Sequence, residues 1–296
     1  MLPALLFYFS LVNDVRTLIA RHDLDAADRA VQAYRSQAGT SPELAAALSW
    51  MARGSFDAGR LDQAENYSAE ARKLVSELMR TRRLDADGWL PMALGGSLEV
   101  HAQVLVARGE RVEAITFLRQ QLAAYRSTTI AERLRKNLNL LSLEGKAAPT
   151  LDTAEWLGPP PPPRAQWRGH PVLLFFWAHW CPDCKAEAPI LASLMKTYGP
   201  RGVLLIAPTK YYGYAAGGED APPNAEKRYI ERIWREFYSA LPATPVPLSA
   251  ANFLVYGAST TPTLVLLDPE GIVRFYHPGA ASEAELSSRI QSVLRK

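Results

Sequence analysis

Residues 171–185 read PVLLFFWAHWCPDCK, and this stretch decides the fold of the second half of the chain. Its first six residues form a continuous apolar run, which is typical of a strand buried on both faces of a sheet. The segment from Cys181 to Tyr198 is predicted to be a helix. Cys181 should therefore lie at a helix N-terminus, where unpaired amides and the helix dipole favour a thiolate.

The chain contains only two cysteines, Cys181 and Cys184, and their C-x-x-C spacing predicts redox chemistry. A structural disulfide framework needs more cysteines in a shorter chain, and a tetrahedral zinc site needs two further ligands at a suitable spacing. The thiolate attacks in thiol–disulfide exchange, so we expect Cys181 to attack and Cys184, one turn further on, to resolve the mixed disulfide. The alternative is a buried, inert pair.

Strands and helices alternate after this stretch. Strands are expected at residues 202–207, 264–267 and 272–276, and helices at residues 225–238 and 283–294. This alternation predicts an α/β sheet that finishes with a hairpin and a helix.

Residues 13–145 are predicted to form an all-α domain of three irregular helical hairpins and a final helix near residues 130–143, because apolar residues recur at spacings of 3 and 4. At three turns a small or polar residue precedes an alanine: His22 before Ala27, Gly59 before Ala64 and Gly109 before Ala114. This pattern resembles the tetratricopeptide repeat, whose unit is about 34 residues, although the intervals here are longer and unequal. Other Ala-rich antiparallel helices would give the same pattern.

Two segments flanking this helical region have more than one interpretation. Residues 1–12 include the apolar stretch LPALLFYFSLV, which is either a signal-peptide remnant without a basic segment or cleavage site, or the first helix. The run Pro159–Pro163 lies near the start of the second predicted domain, residues 146–296, and should adopt polyproline II. It is a linker, a loop of the second domain or a docking motif.

Composition limits the classes of function. A chain of 296 residues with 48% hydrophobic and 21% charged residues is typical of two globular domains. The net charge of +3 is not concentrated in either half, which argues against a nucleic-acid partner. We find no run of about 18 apolar residues and expect no membrane-spanning helix. No metal or other cofactor is expected beyond the redox-active disulfide.

Around the cysteines the sequence resembles the thioredoxin superfamily, and within it the TlpA/ResA-like branch of thiol–disulfide oxidoreductases. Three segments carry the resemblance: Gly145–Asp152 (GKAAPTLD), Arg168–Leu174 (RGHPVLL) and Cys184–Pro189 (CKAEAP). It covers about residues 147–296 and implies a thioredoxin-like fold, protein thiols and disulfides as partners, and an electron donor. Because the branch is largely extracytoplasmic, the resemblance also implies a periplasmic or secreted location, with the cytoplasm as the alternative.

The resemblance also implies a substrate-binding surface. Thr261 and Pro262 correspond to the superfamily's cis-proline loop, which would present the backbone of Thr261 to a substrate strand beside Cys181. Trp180 and Pro182 are assigned to the same surface.

A third catalytic assignment is Glu187, one turn past Cys184. A carboxylate there would raise the pKa of the thiols or accept the proton of the resolving thiol. The alternative is a solvated glutamate on the helix face. Thioredoxins hold a buried acid in the strand, six residues before the first cysteine; here Phe175 occupies that position, which leaves Glu187 as the nearest candidate base.

Two histidines and one loop leave alternatives open. His179 either lowers the thiol pKa of Cys181 as an imidazolium or lies on the surface. His277 could complete a copper site with the two cysteines. The tyrosines of residues 208–223 either form a wall beside the cysteines or pack on the surface of their own domain.

The expected function is a thiol–disulfide oxidoreductase that reduces disulfides of protein partners through a dithiol/disulfide cycle. The helical domain, if repeat-like, would select or position the partner. One alternative is a helical interaction module with a vestigial redox site. A thiol peroxidase is less compatible, since peroxiredoxins attack with a cysteine in a T-x-x-C setting, and a copper chaperone would need His277.

Overall fold

The computed structural model describes residues 10–294. Packing divides the chain into two units, the first ending at Asn137 and the second beginning at Leu138. Residues 1–9, which carry most of the apolar N-terminal segment, lie outside the described part of the chain. Leu11 and Val12, at the end of that segment, are buried in the first helix.

The N-terminal part is all-helical, as predicted. Its helices are α1 (Leu11–Ala20), α2 (Leu24–Ala38), α3 (Pro42–Asp57), α4 (Leu61–Leu78), α5 (Trp89–Ala107), α6 (Arg111–Ala124) and α7 (Ala131–Ser142). The first six form the three expected hairpins, and α7 is the expected final helix, which contains the boundary between the two units.

The three hairpin turns share one backbone conformation. Each contains a residue with positive φ: His22 at 61°, Gly59 at 74° and Gly109 at 85°. In each turn the next residue donates its N–H to a carbonyl five residues earlier, from Asp23 to Leu18, Arg60 to Ser55 and Glu110 to Leu105. The predicted alanines Ala27, Ala64 and Ala114 are fully buried. The hairpins therefore repeat at their turns, and their kinship with tetratricopeptide repeats stays a prediction.

A buried carboxylate joins three helices of this unit. Glu99 of α5 is 5% exposed, and its oxygens accept from Arg53 of α3 and, on α7, from Arg133 (2.8 Å), Lys136 (3.3 Å) and Asn137 (3.0 Å). Burial alone would raise the pKa of Glu99, but the surrounding cationic side chains hold it well below its usual range.

Helix α5, with 19 residues, is the one helix within residues 10–294 that is long and apolar enough to cross a membrane. Most of it is buried in the structure, and a core helix of a globular unit passes the same test. Helix α5 is therefore weak evidence for a membrane-spanning helix. Among the described helices, it is the one that does not fit the expectation that the chain has no such helix.

The second unit contains the expected α/β sheet. Its strands are β1 (Trp156–Leu157), β2 (Val172–Phe176), β3 (Leu204–Ile206), β4 (Val246–Pro247), β5 (Thr263–Leu267) and β6 (Val273–Pro278). Four of them form one sheet in the order β3-β2-β5-β6, in which β2 and β3 are parallel and the other neighbours antiparallel. Strands β1 and β4 pair separately.

Its helices are α8 (Pro182–Tyr198), α9 (Pro223–Phe237), α10 (Ala250–Tyr256) and α11 (Glu283–Leu294). Sequence patterns predicted α8, α9, α11 and the four strands of the main sheet. They missed β1, β4 and α10, because two-residue strands and a seven-residue helix are too short to show a hydrophobic period.

Strand β2 is buried on both faces, as predicted from its unbroken apolar run. Leu173 and Phe175 belong to the core that includes α8, whereas Val172, Leu174 and Phe176 belong to the core on the opposite face. The strand is thus held between two apolar layers, which fixes the point at which it ends.

The proline-rich run lies within the second unit. Pro163 has polyproline II angles (φ −55°, ψ 144°), and a short 3-10 turn follows it at Arg164–Trp167. The indole N–H of Trp167 donates to the carbonyl of Pro162 at 2.9 Å. The segment is therefore packed as a loop of this unit, one of the three alternatives considered.

Replacing Glu99 by Gln tests the buried charge cluster. Loss of the carboxylate leaves Arg53, Arg133 and Lys136 without their shared counter-charge, so we expect unfolding of the first unit to become easier by about 3 kcal/mol. Urea unfolding followed by circular dichroism measures this loss.

The matched control is Glu70→Gln, which removes the ion pair with Arg35 between side chains that are 38% and 36% exposed. A surface pair of this kind should contribute less than about 1 kcal/mol. Equal, small losses for the two variants would show that Glu99 does not organise the unit.

Candidate active site

The first cysteine caps the helix that follows the central strand. Cys181 is the N-cap of α8, and its Sγ accepts the N–H of Cys184 at 3.0 Å. Pro182 occupies the first turn, where a missing N–H costs nothing. A sulfur held in this place receives both a hydrogen bond and the positive end of the helix dipole, which stabilise a thiolate once the cysteine is reduced.

The two cysteines form a disulfide, with their Cα atoms 5.3 Å apart. Cys181 is 2% exposed and Cys184 is fully buried. The structure is therefore the oxidised state of the pair, and Cys181 is the more exposed of the two residues.

Strand pairing brings a second segment to this sulfur. Antiparallel register places Thr263, the first residue of β5, opposite Phe176, the last residue of β2. The peptide bond between Thr261 and Pro262, just before β5, is cis, as expected. The carbonyl oxygen of Thr261 lies 3.3 Å from Sγ of Cys181.

The backbone N–H of Thr261 has no hydrogen-bond partner within the described part of the chain. Pro262 is buried, and its carbonyl accepts the N–H of Gly279 at 2.8 Å. Thr261, rather than Pro262, therefore has a backbone group without a partner among the described residues.

The two other predicted substrate-binding residues face solvent. Trp180 is 46% exposed and meets the ring of Tyr212 edge-on at 5.5 Å between centroids. Pro182 is also exposed. Together they present an apolar surface directly beside Cys181.

Glu187 is buried, so its interpretation as a solvated helix-face residue is wrong. It is 2% exposed, and its carboxylate has one long contact, from the N–H of Ala281 at 3.4 Å. Burial, with a smaller effect from the charge of Asp183, raises the pKa of Glu187 to about 7. A group with this pKa can accept and release a proton near neutral pH.

Aromatic residues surround the strand position at which thioredoxins hold a buried acid. Phe175 is fully buried, and its ring lies 5.9 Å from that of Tyr238, which stacks on Trp234 and also meets Trp177. The hydroxyl of Tyr238 has no partner among the described residues. Glu187, one turn past Cys184, is therefore the buried acid that α8 provides after the cysteines.

His179 is fully buried, so the alternative that it lies on the surface is wrong. Its Nε2 lies 3.2 Å from Oε1 of Glu226, the buried glutamate in the first turn of α9. Burial lowers the pKa of His179, although the hydrogen bond and the charge of Glu226 act in the opposite direction. The lowered pKa disfavours the imidazolium form of His179. Three tyrosine rings meet its ring edge-on: Tyr212, Tyr214 and Tyr229.

The tyrosine-rich loop, residues 208–223, is attached to the site. Its backbone N–H groups at Tyr212 and Gly213 donate to the carboxylate of Glu226 at 2.5 and 2.9 Å. The loop thus forms a wall next to Trp180 through Tyr212, while Tyr211 points elsewhere and donates to Glu155 at 2.7 Å. Tyr212 thus fits the alternative of a wall beside the cysteines, and Tyr211 fits the alternative of packing on its own domain.

His277 lies on β6, where its ring stacks on Phe275 and its Nε2 contacts the carbonyl of Ala280 at 3.1 Å. Across residues 10–294 no three side chains from His, Cys, Asp and Glu are grouped as metal ligands.

Sequence reasoning missed Glu226 and Tyr238. Glu226 lies in α9 and Tyr238 is the C-cap of that helix, but nothing in an amphipathic pattern marks which polar residue will be buried. The only signal for Glu226 was an acidic residue in a first helical turn, which ordinarily is solvated.

Comparison with known proteins finds similarity within the second unit. The family model described as a thioredoxin-like domain matches residues 164–294. The thiol:disulfide interchange protein DsbE of Xylella fastidiosa is 28% identical over 126 residues, which is 43% of this chain and 56% of that protein.

The thiol-disulfide oxidoreductase ResA of Geobacillus thermodenitrificans is 27% identical over 127 residues, which cover 43% of this chain and 65% of that protein. The match therefore spans between one half and two thirds of these two relatives. A solved thiol-disulfide isomerase from Corynebacterium glutamicum is 20% identical, covering 50% of this chain and 95% of its own, with a TM-score of 0.40.

Glu187→Gln tests the buried carboxyl through stability. Its pKa is raised from 4.5 to about 7 in the folded protein, so between these values the folded state retains a proton that the unfolded state has released. Wild-type stability should therefore fall by up to about 3 kcal/mol as pH rises through this window. Gln cannot ionise, and the variant should be more stable than the wild type at pH 8 and much closer to it at pH 5.

Urea unfolding of the oxidised protein at the two pH values measures this difference, because the disulfide keeps the cysteines from titrating. Glu236→Gln, at an exposed position of α9, is the control and should show no pH-dependent gain. An advantage of Glu187→Gln that is equal at both pH values would contradict the raised pKa.

Proposed function

Because residues 164–294 form a thioredoxin-like domain, we propose that this protein is a thiol–disulfide oxidoreductase that reduces disulfides of protein partners. One observation carries the proposal: Sγ of Cys181 caps α8 and lies 3.3 Å from the carbonyl of Thr261 in the cis-proline loop. The proposed nucleophile thus lies beside the backbone of Thr261, whose N–H has no partner among the described residues.

The cycle begins with the reduced pair. The thiolate of Cys181 attacks one sulfur of the partner's disulfide, the partner's other sulfur leaves as a thiolate, and a mixed disulfide forms. The Thr261 backbone would align the partner chain, and the amide of Cys184 would stabilise the attacking thiolate.

The second step restores the state seen here. Glu187 accepts the proton of the Cys184 thiol, and the resulting thiolate attacks Sγ of Cys181. The disulfide between Cys181 and Cys184 forms, and the partner's second sulfur leaves as a thiolate. Two electrons pass from the enzyme dithiol to the partner's disulfide, and Glu187 returns its proton to solvent.

A dithiol reductant must then reduce the Cys181–Cys184 disulfide for the next cycle. Its two electrons enter by the same exchange chemistry, and it becomes a disulfide itself. The helical unit is proposed to select or position a protein partner, which its repeated hairpins support. Copper chaperone and peroxidase activities have no specific observation in their favour.

We propose an extracytoplasmic location, in line with the resemblance to the TlpA/ResA-like branch. Fractionation of cells that produce the full-length chain checks this location. Recovery in the cytoplasm alone would contradict it.

Cysteine variants test the cycle. Cys181→Ser should lose exchange activity with insulin completely, because the attacking sulfur is gone. Cys184→Ser should keep the first step and accumulate the mixed disulfide, which non-reducing electrophoresis and mass spectrometry detect. Glu187→Gln retains both cysteines but lacks the proton acceptor, and its release step should slow by about 100-fold.

The reduction potential of the wild-type pair, measured in dithiothreitol buffers, decides the direction. A value near that of thioredoxin, about −270 mV, supports a reductase. A value near about −120 mV would make the protein a disulfide donor and reverse the proposal. Unchanged exchange activity in Cys181→Ser would remove the proposed nucleophile.

A further inference from the structure

Beside the cysteines a single buried carboxylate joins two segments that are far apart in sequence. Glu226 accepts from Nε2 of His179, which lies two residues before Cys181, and from the backbone of Tyr212 and Gly213. Glu226 and His179 are both fully buried. We name this arrangement the His179–Glu226 latch.

Among residues 10–294, the described partners of the Glu226 carboxylate include no lysine or arginine. Both oxygens receive a backbone N–H of the loop, and the imidazole supplies a third donor. A buried carboxylate with several donors is stable, whereas the loss of one partner leaves an unsatisfied polar group. The backbone N–H groups of Tyr212 and Gly213 can donate to Glu226 only while the loop lies against this carboxylate.

The outer side of this arrangement is the aromatic surface beside Cys181. Tyr212, whose N–H is held by Glu226, also meets Trp180 edge-on. Lys210 lies over the same tyrosine, with Nζ 5.6 Å from the ring centroid. The position of the Tyr212 ring therefore depends on a backbone contact at the latch.

We infer that His179 and Glu226 are positioning residues, which hold residues 208–223 against Trp180 and so build the surface that binds polypeptide around a target disulfide. This inference rests on the proposed function and extends it to substrate class. Extended protein segments would use the surface, because flat aromatic rings bind apolar side chains and backbone. A small aliphatic disulfide, which reaches only the sulfur of Cys181, would not.

A second carboxylate, which lies outside the loop but contacts it, provides the matched control. Glu155 accepts from the hydroxyl of Tyr211 at 2.7 Å and from Lys227 at 2.8 Å. It holds the neighbouring tyrosine and has no contact with His179 among those described. Glu155→Gln thus perturbs the loop without opening the latch.

The experiment uses the full-length chain, reduced and then mixed with insulin or with bis(2-hydroxyethyl) disulfide. In Glu226→Gln, one acceptor for the loop N–H groups is replaced by an amide. We expect its half-saturating insulin concentration to rise about tenfold, with the saturated rate within twofold of the wild type. The rate with the small disulfide and the equilibrium with glutathione should also stay within twofold.

Two further variants separate positioning from general destabilisation. His179→Gln keeps a side-chain N–H toward Glu226 and should stay close to the wild type, whereas His179→Phe should resemble Glu226→Gln. Tyr212→Ala removes the ring alone and should raise the half-saturating insulin concentration similarly. If circular dichroism shows that Glu226→Gln does not fold, the Tyr212→Ala variant still tests the inference.

Each outcome decides between defined alternatives. Unchanged half-saturation by insulin in folded Glu226→Gln, or in Tyr212→Ala, overturns the inference. Equal slowing with both disulfides overturns it as well, since the latch would then act on the sulfurs. The same rise of the half-saturating insulin concentration in Glu155→Gln would also overturn the inference, since any disturbance of the loop would then weaken insulin binding. A wild type that reduces neither disulfide overturns the proposed function, and this inference with it.

Discussion

The hydrogen bond from the N–H of Cys184 to Sγ of Cys181 is the contact on which the site depends. It exists because a strand buried on both faces ends at Phe176 and a helix begins at Pro182. Neither element can shift without exposing apolar side chains, so the core sets the position of the sulfur. The same strand, through its pairing with β5, sets the position of Thr261.

Three buried carboxylates in this protein show how donors decide the behaviour of an acid. Glu99 has three cationic partners, and its pKa is held well below the usual range. Glu187 has one long backbone contact, and burial raises its pKa to about 7. Glu226 has two backbone N–H groups and an imidazole, and it joins a loop to the site. The first organises packing, the second is suited to proton transfer, and the third holds a surface.

Strand β2 is apolar along its whole length, so the candidate acid, Glu187, lies on helix α8 instead. Phe175 fills the strand position with a ring that packs against Tyr238, so no carboxyl lies there. Glu187, one turn past Cys184, is buried, and the described contact of its carboxylate is with a backbone N–H. The proton transfer that we propose for this domain thus involves a residue whose pKa is set mainly by burial.

The local pattern of the chain determined the strand at 171–176, the helix after Cys181, the helical first half and the redox pair, because each is a periodicity or spacing within a short window. The resemblance identified Thr261, Pro262 and Glu187. Only the tertiary structure decided that Glu187 and His179 are buried, that Glu226 is the hydrogen-bond partner of His179, and that Tyr212 meets Trp180. These facts depend on contacts between residues tens of positions apart, for which hydrophobic periodicity carries no signal.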